Sequence, residues 1–515
     1  MTSAAGAAPA LELRGIDKWF GSVHANDGIS FAVGAGTIHG IIGENGAGKS
    51  TLMSIVYGYY QADAGDIIVD GEAVHIGGPQ DALRHGIGMV HQHFMLVEPF
   101  TVLENVILGA ESGQMLRPSL DAARSELERL ERDYNLEVDP DAVVETLPVG
   151  LRQRIEILKA LYRGADILIL DEPTGVLTPQ EVDHLFRILR ALRDQGKTVI
   201  LITHKLREIM ALTENVTVMR QGRVVANVRT AETSAERLAE LMVGRSVLLR
   251  VEKTRSRPRD AVLSVEKLSV SDGQGIARVK EVGFEIRGGE IVGIAGVAGN
   301  GQSELLEALA GIRDPDGGHI RLKGRDITNQ ANAAKERRTL GMAHVPEDRH
   351  RMGLVISFFA NESAILGHQD SPKYTGPVLM KRDAILADVG AKMESYDVRP
   401  HNPLLRTSSF SGGNQQKIVL AREMDTDPDL LLVGQPTRGV DIGAIEFIHR
   451  RLIAMRDAGK AILLVSVELD EIMSLADRIL VMFDGEIVGE VAQERANEKM
   501  LGLMMAGERV AAGAG

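Results

Sequence analysis

Short aliphatic runs that stop at glycine or at a polar residue recur along this chain. Residues 37–42 (TIHGII), 88–90 (GMV), 167–170 (ILIL) and 199–203 (VILIT) have this form. Such runs read as strands covered on both faces, the habit of a parallel sheet, rather than as the alternating strands of a half-exposed one. A helix is predicted to start near Lys49, after a glycine-rich stretch. Residues 102–146 change character: the segment SLDAARSELERLERDY is rich in helix formers and patterned charge, and predicts a helical insertion. A charged stretch with Pro258 and no apolar periodicity spans residues 250–260 and reads as a linker. Alternation resumes near Val262, and a second helical insertion is predicted over residues 361–407.

The pattern is duplicated. Gly43 matches Gly296 at an offset of 253 residues, and Gln92 of MVHQ matches Glu347 of HVPE at 255. Pro148, Asp171 and His204 match Ser411, Gly434 and Val467, each at 263. Five motifs in one order, with offset changes of only two and eight residues, mark an internal repeat. The expected organisation is a loose tail over 1–10, a first α/β domain over 11–250, a linker over 251–261, a second α/β domain over 262–505 and a tail over 506–515.

Composition narrows the chemistry. Apolar residues make up 44% and aromatics 4%, so the cores must be aliphatic. A formal charge of −13 argues against a general nucleic-acid binder. The absence of cysteine excludes disulfides, thiolate zinc sites and iron–sulfur clusters. No apolar run approaches the length of a membrane span, and the start lacks the basic region of a signal peptide. A cytoplasmic protein is expected, held at a membrane, if at all, by other subunits.

The first half carries GENGAGKST at residues 43–51. Gly43, Gly46 and Gly48 let the backbone curl so that the N–H groups of Glu44, Asn45, Ala47 and their neighbours face phosphate oxygens, and the following helix start adds positive partial charge. Lys49 is placed to reach the terminal phosphates, and Ser50, followed by Thr51, to ligate Mg²⁺. Asp171 ends an aliphatic strand, where ligands of parallel sheets gather. It is a candidate metal ligand, with Glu172 beside it suited to polarise the attacking water. His204 ends another such strand and is a candidate γ-phosphate contact, although a histidine there alone would be read as structural. Gln92 offers an amide to metal or water. Phe20, just before Gly21, is the candidate for stacking on adenine, with Trp19 competing and a core role open to both.

The two halves differ in opposite ways. The segment at the helix start after each insertion reads LPVGLRQ at 147–153 but FSGGNQQ at 410–416. The second half's phosphate loop, GVAGNGQS at 296–303, has Gln302 in place of lysine. Its strand end, LLLVGQPT at 430–437, has Gly434 and Gln435 in place of Asp and Glu.

Together these motifs resemble the ATP-binding cassette (ABC) ATPases over essentially the whole chain, twice. The resemblance implies two P-loop nucleotide-binding domains, each with a RecA-like parallel-sheet core, a β subdomain and a helical insertion. It implies ATP and Mg²⁺ as cofactors. It further implies that Ser411, Gly412, Gly413, Asn414 and Gln415, with Asp441, cap the ATP held by Lys49. The other pairing would join Gln302, Gly434, Gln435 and Val467 with Pro148, Val149, Gly150, Leu151, Arg152 and Thr178, with negligible hydrolysis, while Gly299, Asn300, Gly301 and Ser303 leave nucleotide binding there open. Tandem cassettes of this kind resemble ATPase subunits of bacterial importers for nucleosides and simple sugars. MVHQHFMLV at 89–97 and GQPTRGVDIGA at 434–444 are closer to the nucleoside branch. The implied partners are two membrane permeases, docked near residues 92–100 and 347–359, and indirectly an extracytoplasmic binding lipoprotein. The implied place is peripheral, on the cytoplasmic face of the cell membrane. A sugar importer of the ribose or galactose type stays open as an alternative. A soluble tandem ATPase acting on ribosomes is disfavoured by the short linker and the unequal halves.

Overall fold

The computed structural model describes residues 8–91, 94–109, 116–134, 136–175, 177, 179–246, 251, 253–297, 299–440 and 442–508. It divides into two units, residues 1–247 and 248–515.

The first unit is built on a six-stranded sheet in the spatial order Arg223–Arg229, Asn215–Arg220, Ile38–Ile42, Thr198–Ile202, Ile167–Asp171, Ile87–Val90. All pairs are parallel except the outer hairpin formed by the first two. Ile38–Ile42, Thr198–Ile202 and Ile167–Asp171 are buried at every position. Helices cover both faces, and aliphatic side chains are what such a position accepts. A separate antiparallel sheet of Val23–Val33, Leu11–Phe20, Ala64–Val69 and Glu72–Val74 supplies the β subdomain. The insertion contains helices Val102–Ile107 and Leu116–Tyr134. Thr101 and Glu104 start the former with a reciprocal capping box.

The second unit repeats this plan. Its main sheet runs Met342–Val345, Leu430–Gly434, Ala461–Ser466, Ile291–Ala295, Arg478–Phe483, Glu486–Ala492, and its antiparallel sheet pairs Ala261–Ser271 with Ala277–Arg287 and Gly317–Leu322. In both units the strand bearing the phosphate loop lies in the middle, beside the one that leads to position 204 or 467, Thr198–Ile202 or Ala461–Ser466. Parallel pairing aligns the C-terminal ends: Asp171 registers with Ile202, and Gly434 with Val465. Residues far apart in the chain thereby meet along one sheet edge.

Two segments expected to be loose are anchored where they are described. Ala10 is buried, and its carbonyl accepts from Asp70 N–H at 3.1 Å. Within the 251–261 stretch, Lys253 Nζ donates to the carbonyls of Leu475 and Ala476 at 3.1 and 2.5 Å and pairs with Asp477 at 3.2 Å. The buried Arg456 guanidinium donates to the Thr254 carbonyl at 2.9 Å. Charge patterning marked this stretch as polar, and the partners that hold it lie two hundred residues away.

Candidate functional site

In the first unit, strand Ile38–Ile42 runs into the glycine loop, and helix Lys49–Val56 follows. Gly48 sets the helix start in a left-handed conformation, φ 92°, and a Cβ there would lie 2.3 Å from the Ala25 carbonyl oxygen. Only glycine meets both demands. The loop is closed by Ala47 N–H on the Glu44 carbonyl at 3.0 Å, and is tied to the sheet by Gly222 N–H on the Ala47 carbonyl at 3.2 Å. Lys49 is buried. Its Nζ donates to the carbonyls of Gly43 and Glu44 at 2.7 and 3.1 Å. Burial lowers the ammonium's proton affinity, and the carboxylates of Glu172, Asp171 and Glu44 act against this.

The two neighbouring carboxyls are driven apart. Burial raises Asp171, which hydrogen-bonds with Ser50. Glu172 is pushed up by burial, but the hydrogen bond and charge of His204, with Lys49, bring it below the usual range. His204 Nδ1 lies 2.9 Å from Glu172 Oε1. Glu172 itself is held with φ at 47°, its N–H on the Ile202 carbonyl at 2.9 Å. Carboxyl pairs separated in this way mark distinct roles. The donor set fits a magnesium–phosphate ligand, since a carboxylate and a hydroxyl suit a hard cation.

The second unit keeps the loop and loses the charges. Gly301 has φ 99°, and a Cβ there would lie 2.0 Å from the Arg278 carbonyl oxygen. Asn300 N–H closes on the Val297 carbonyl at 3.2 Å, and Gly485 N–H meets the Asn300 carbonyl at 3.1 Å. Each of these bonds has its counterpart in the first unit. Gln302 Nε2 donates to the Val297 carbonyl at 3.1 Å, the bond Lys49 makes to its loop, without the cation. Gln435 has the same unusual backbone as Glu172, φ 46°. Its Oε1, however, accepts from Val467 N–H at 3.3 Å, so the amide is tied to backbone where Glu172 is tied to an imidazole.

The helix-start segments also diverge. Ser411 caps helix Gly412–Met424, its Oγ accepting from Asn414 N–H at 3.5 Å and from Asn414 Nδ2 at 2.9 Å. Ser411 is exposed, whereas Gly413 and Gln415 are buried, the latter bonded to His350 at 2.8 Å and to the Thr407 carbonyl at 3.1 Å. A Cβ on Gly412 would meet the Arg349 guanidinium at 2.6 Å. In the first unit Pro148 opens helix Val149–Tyr162 with no side-chain cap. Arg152 folds back onto the carbonyls of Leu147 and Glu145 at 2.9 and 2.8 Å.

A family model described as ABC transporter matches residues 26–175 and 279–438, one stretch in each unit. The chain belongs to the ABC transporter family. It is 46% identical over 97% of its length to the nucleoside import ATP-binding protein NupA of Lactococcus lactis, covering 98% of that protein. It is 46% identical over 96% of its length to the guanosine import ATP-binding protein NupO of Bacillus subtilis, covering 97%. The glucose import ATP-binding protein TsgD13 of Haloferax volcanii is 43% identical, with 97% and 96% of the two chains covered. This ABC chain is thus an import-type ATPase built of two cassettes.

Among the remaining expected residues of this ABC ATPase, Gln92, Thr178 and Asp441 lie outside the described residues. Trp19 and Phe20 are both exposed at a strand end. One face of Trp19 is covered by His24, with centroids 3.7 Å apart, while Phe20 meets Tyr60 edge-on at 5.2 Å. Phe20 thus stays a stacking candidate. Of the expected docking segments, Met95 and Phe100 in the first cassette and Ile356, Phe358 and Phe359 in the second are exposed apolar side chains. No helix among the described residues is long and apolar enough to cross a membrane.

Sequence reasoning missed supports of the acidic strand end: Gln153 Nε2 donates to the Pro173 carbonyl at 2.6 Å, and Thr174 Oγ1 donates to the buried Glu208 carboxylate. It also missed the contact between Ser303 and Glu347. The available signal was the paired change of Gln92 to Glu347 and Asp171 to Gly434 between the halves.

Proposed function

We propose that this ABC ATPase energises nucleoside uptake, and that hydrolysis is confined to the nucleotide bound at Lys49. The observation that carries the asymmetry is the Glu172–His204 pair at 2.9 Å, against the backbone-bound Gln435 of the second cassette. In this reading the loop N–H groups and Lys49 bind the phosphates, and Ser50 and Asp171 hold Mg²⁺. Magnesium, when bound, neutralises phosphate charge. Glu172 is ionised at neutral pH and takes a proton from the attacking water, His204 orienting the carboxylate. Phe20 stacks on the base. Ser411, whose oxygen accepts the capping bond, keeps its own O–H for a γ-phosphate, and Gly412, Gly413, Asn414 and Gln415 fix its position. Gln92 and Asp441 are assigned to the same nucleotide, Gln92 reporting its state to the permeases.

The full-length 46% identity to proteins named for nucleoside and guanosine import supports the solute class. The 43% identity to a glucose importer is the observation behind a sugar reading. Partnership with two permeases rests on the exposed apolar residues of the two cassettes, and a peripheral membrane location follows from that partnership. The test is uptake of labelled guanosine, uridine, ribose and glucose in a strain lacking the gene. Wild type, but not Glu172→Gln, should restore nucleoside uptake. Restoration of sugar uptake alone would reject the assignment.

A further inference from the structure

In the first cassette the ladder between strands Ile167–Asp171 and Thr198–Ile202 ends with the Glu172 N–H on the Ile202 carbonyl, and beyond it the two chains part. One enters the turn at residues 172–174. The other passes His204 into helix Leu206–Leu212. Two side-chain bonds join them again. The first, between Glu172 and His204, carries the reacting carboxylate. The second lies two residues further along the turn and one helical turn past the histidine: Thr174 Oγ1 donates to Glu208 Oε1. Thr174 is 3% exposed and Glu208 4%. A carboxylate buried to this degree is costly, and an apolar side chain of similar volume would fill the place at less cost. Burial raises the Glu208 carboxyl, and the Thr174 bond and Lys205 act against this. Its Oε2 is buried without a hydrogen bond among the described residues. What the group does there is therefore done by the oxygen that holds Thr174.

The second cassette, which has lost the base, holds its matching carboxylate differently. Glu471 occupies the position of Glu208, and its Oε1 lies 3.0 Å from His449 Nε2. His449 belongs to helix Ile442–Asp457. The first cassette has Phe186 at that position of helix Pro179–Asp194. A phenyl ring brings no donor, which leaves Glu208 to Thr174. We propose that Glu208 is a positioning residue for hydrolysis: through Thr174 it fixes the turn that carries Glu172 against the helix that follows His204. The reason lies in the reaction. As Glu172 takes the proton of the attacking water its charge falls, and its bond to His204 weakens. The Thr174–Glu208 bond involves no reacting atom and persists through that step, so base and imidazole stay in register. Its effect falls on the rate and not on nucleotide affinity, which the loop N–H groups and Lys49 supply. The inference rests on the reading of Glu172 as the base.

The test measures steady-state phosphate release and, separately, equilibrium binding of the non-hydrolysable analogue AMP-PNP on the full chain. Glu208→Leu should lower kcat by about ten- to a hundredfold, the range for a catalytic group displaced by up to about 1 Å, with AMP-PNP affinity unchanged. Glu208→Gln, whose amide oxygen accepts from Thr174, should recover most of that loss. Thr174→Val should reproduce it, and the double variant Thr174→Val/Glu208→Leu should be no slower than either single one, as for two partners of one bond. Unchanged kcat in Glu208→Leu overturns the inference. So do multiplying losses in the double variant, or a fall in AMP-PNP affinity as large as the fall in kcat. Where Glu208→Leu does not fold, Thr174→Val decides alone, and unchanged kcat there overturns the inference. Hydrolysis that survives Glu172→Gln overturns instead the base reading on which it rests.

Discussion

Replacing Glu172 by glutamine removes a negative charge and a proton acceptor while leaving the shape almost unchanged. The structure sets two magnitudes against each other. The folding cost is the loss of one charge-assisted bond, to His204 at 2.9 Å. Both partners are part-exposed, so this is at most about 1–2 kcal/mol. The backbone N–H of residue 172 keeps its bond to the Ile202 carbonyl, and Lys49 keeps its two loop carbonyls, so ATP binding should survive. The catalytic cost is the loss of a general base, about 10²–10⁴ in rate or roughly 3–5 kcal/mol of barrier. Steady-state phosphate release, normalised to bound nucleotide, separates the two. If the first cassette alone hydrolyses, Glu172→Gln should leave about one per cent of the rate or less. If both did, roughly half would remain, since the second site would be untouched. Gln435→Ala is the control, expected to stay within about twofold of wild type because it removes no base. Half-activity in Glu172→Gln, or an equal loss in Gln435→Ala, would refute the argument.

Two further outcomes are expected. Gly48→Ala puts a side chain at φ 92° and a Cβ 2.3 Å from the Ala25 carbonyl oxygen; it should lower stability by about 2–3 kcal/mol and abolish nucleotide binding at the first loop, and unchanged calorimetric and binding curves would reject this. The buried His39, bonded to Thr217 at 2.8 Å, has its pKa lowered by burial from 6.5 to about 4. Its neutral form is therefore favoured in the folded state, so its contribution is full above pH 6.5 and is lost as pH falls from there towards 4, amounting to about 2 kcal/mol at pH 5. His39→Leu should flatten the pH dependence of chemical denaturation over this window, and an unaltered slope would count against it.

Much of the site was legible in the sequence because its parts are local. A phosphate loop is a run of adjacent residues whose glycines are needed by the backbone, so Gly43, Gly46, Gly48, Lys49 and Ser50 can be named from spacing alone. Strand-end residues such as Asp171 and His204 are marked by the aliphatic runs before them. The duplication and the opposite losses of the two halves are likewise properties of the string of letters.

Contacts between residues distant in the chain were not legible. Nothing in the order of residues says that Glu172 is held by His204, that Lys253 and Thr254 are anchored by residues near 456 and 476, or that Glu347 reaches Ser303. Parallel sheets bring together the ends of strands separated by long connections, and side-chain length then decides which of the gathered groups touch. The sequence by itself determined the cassette fold, its repetition and which half keeps lysine, aspartate and glutamate. Only the tertiary structure decided that Ser303 meets a glutamate that follows the adjacent strand, because that depends on the volume left beside Gly434.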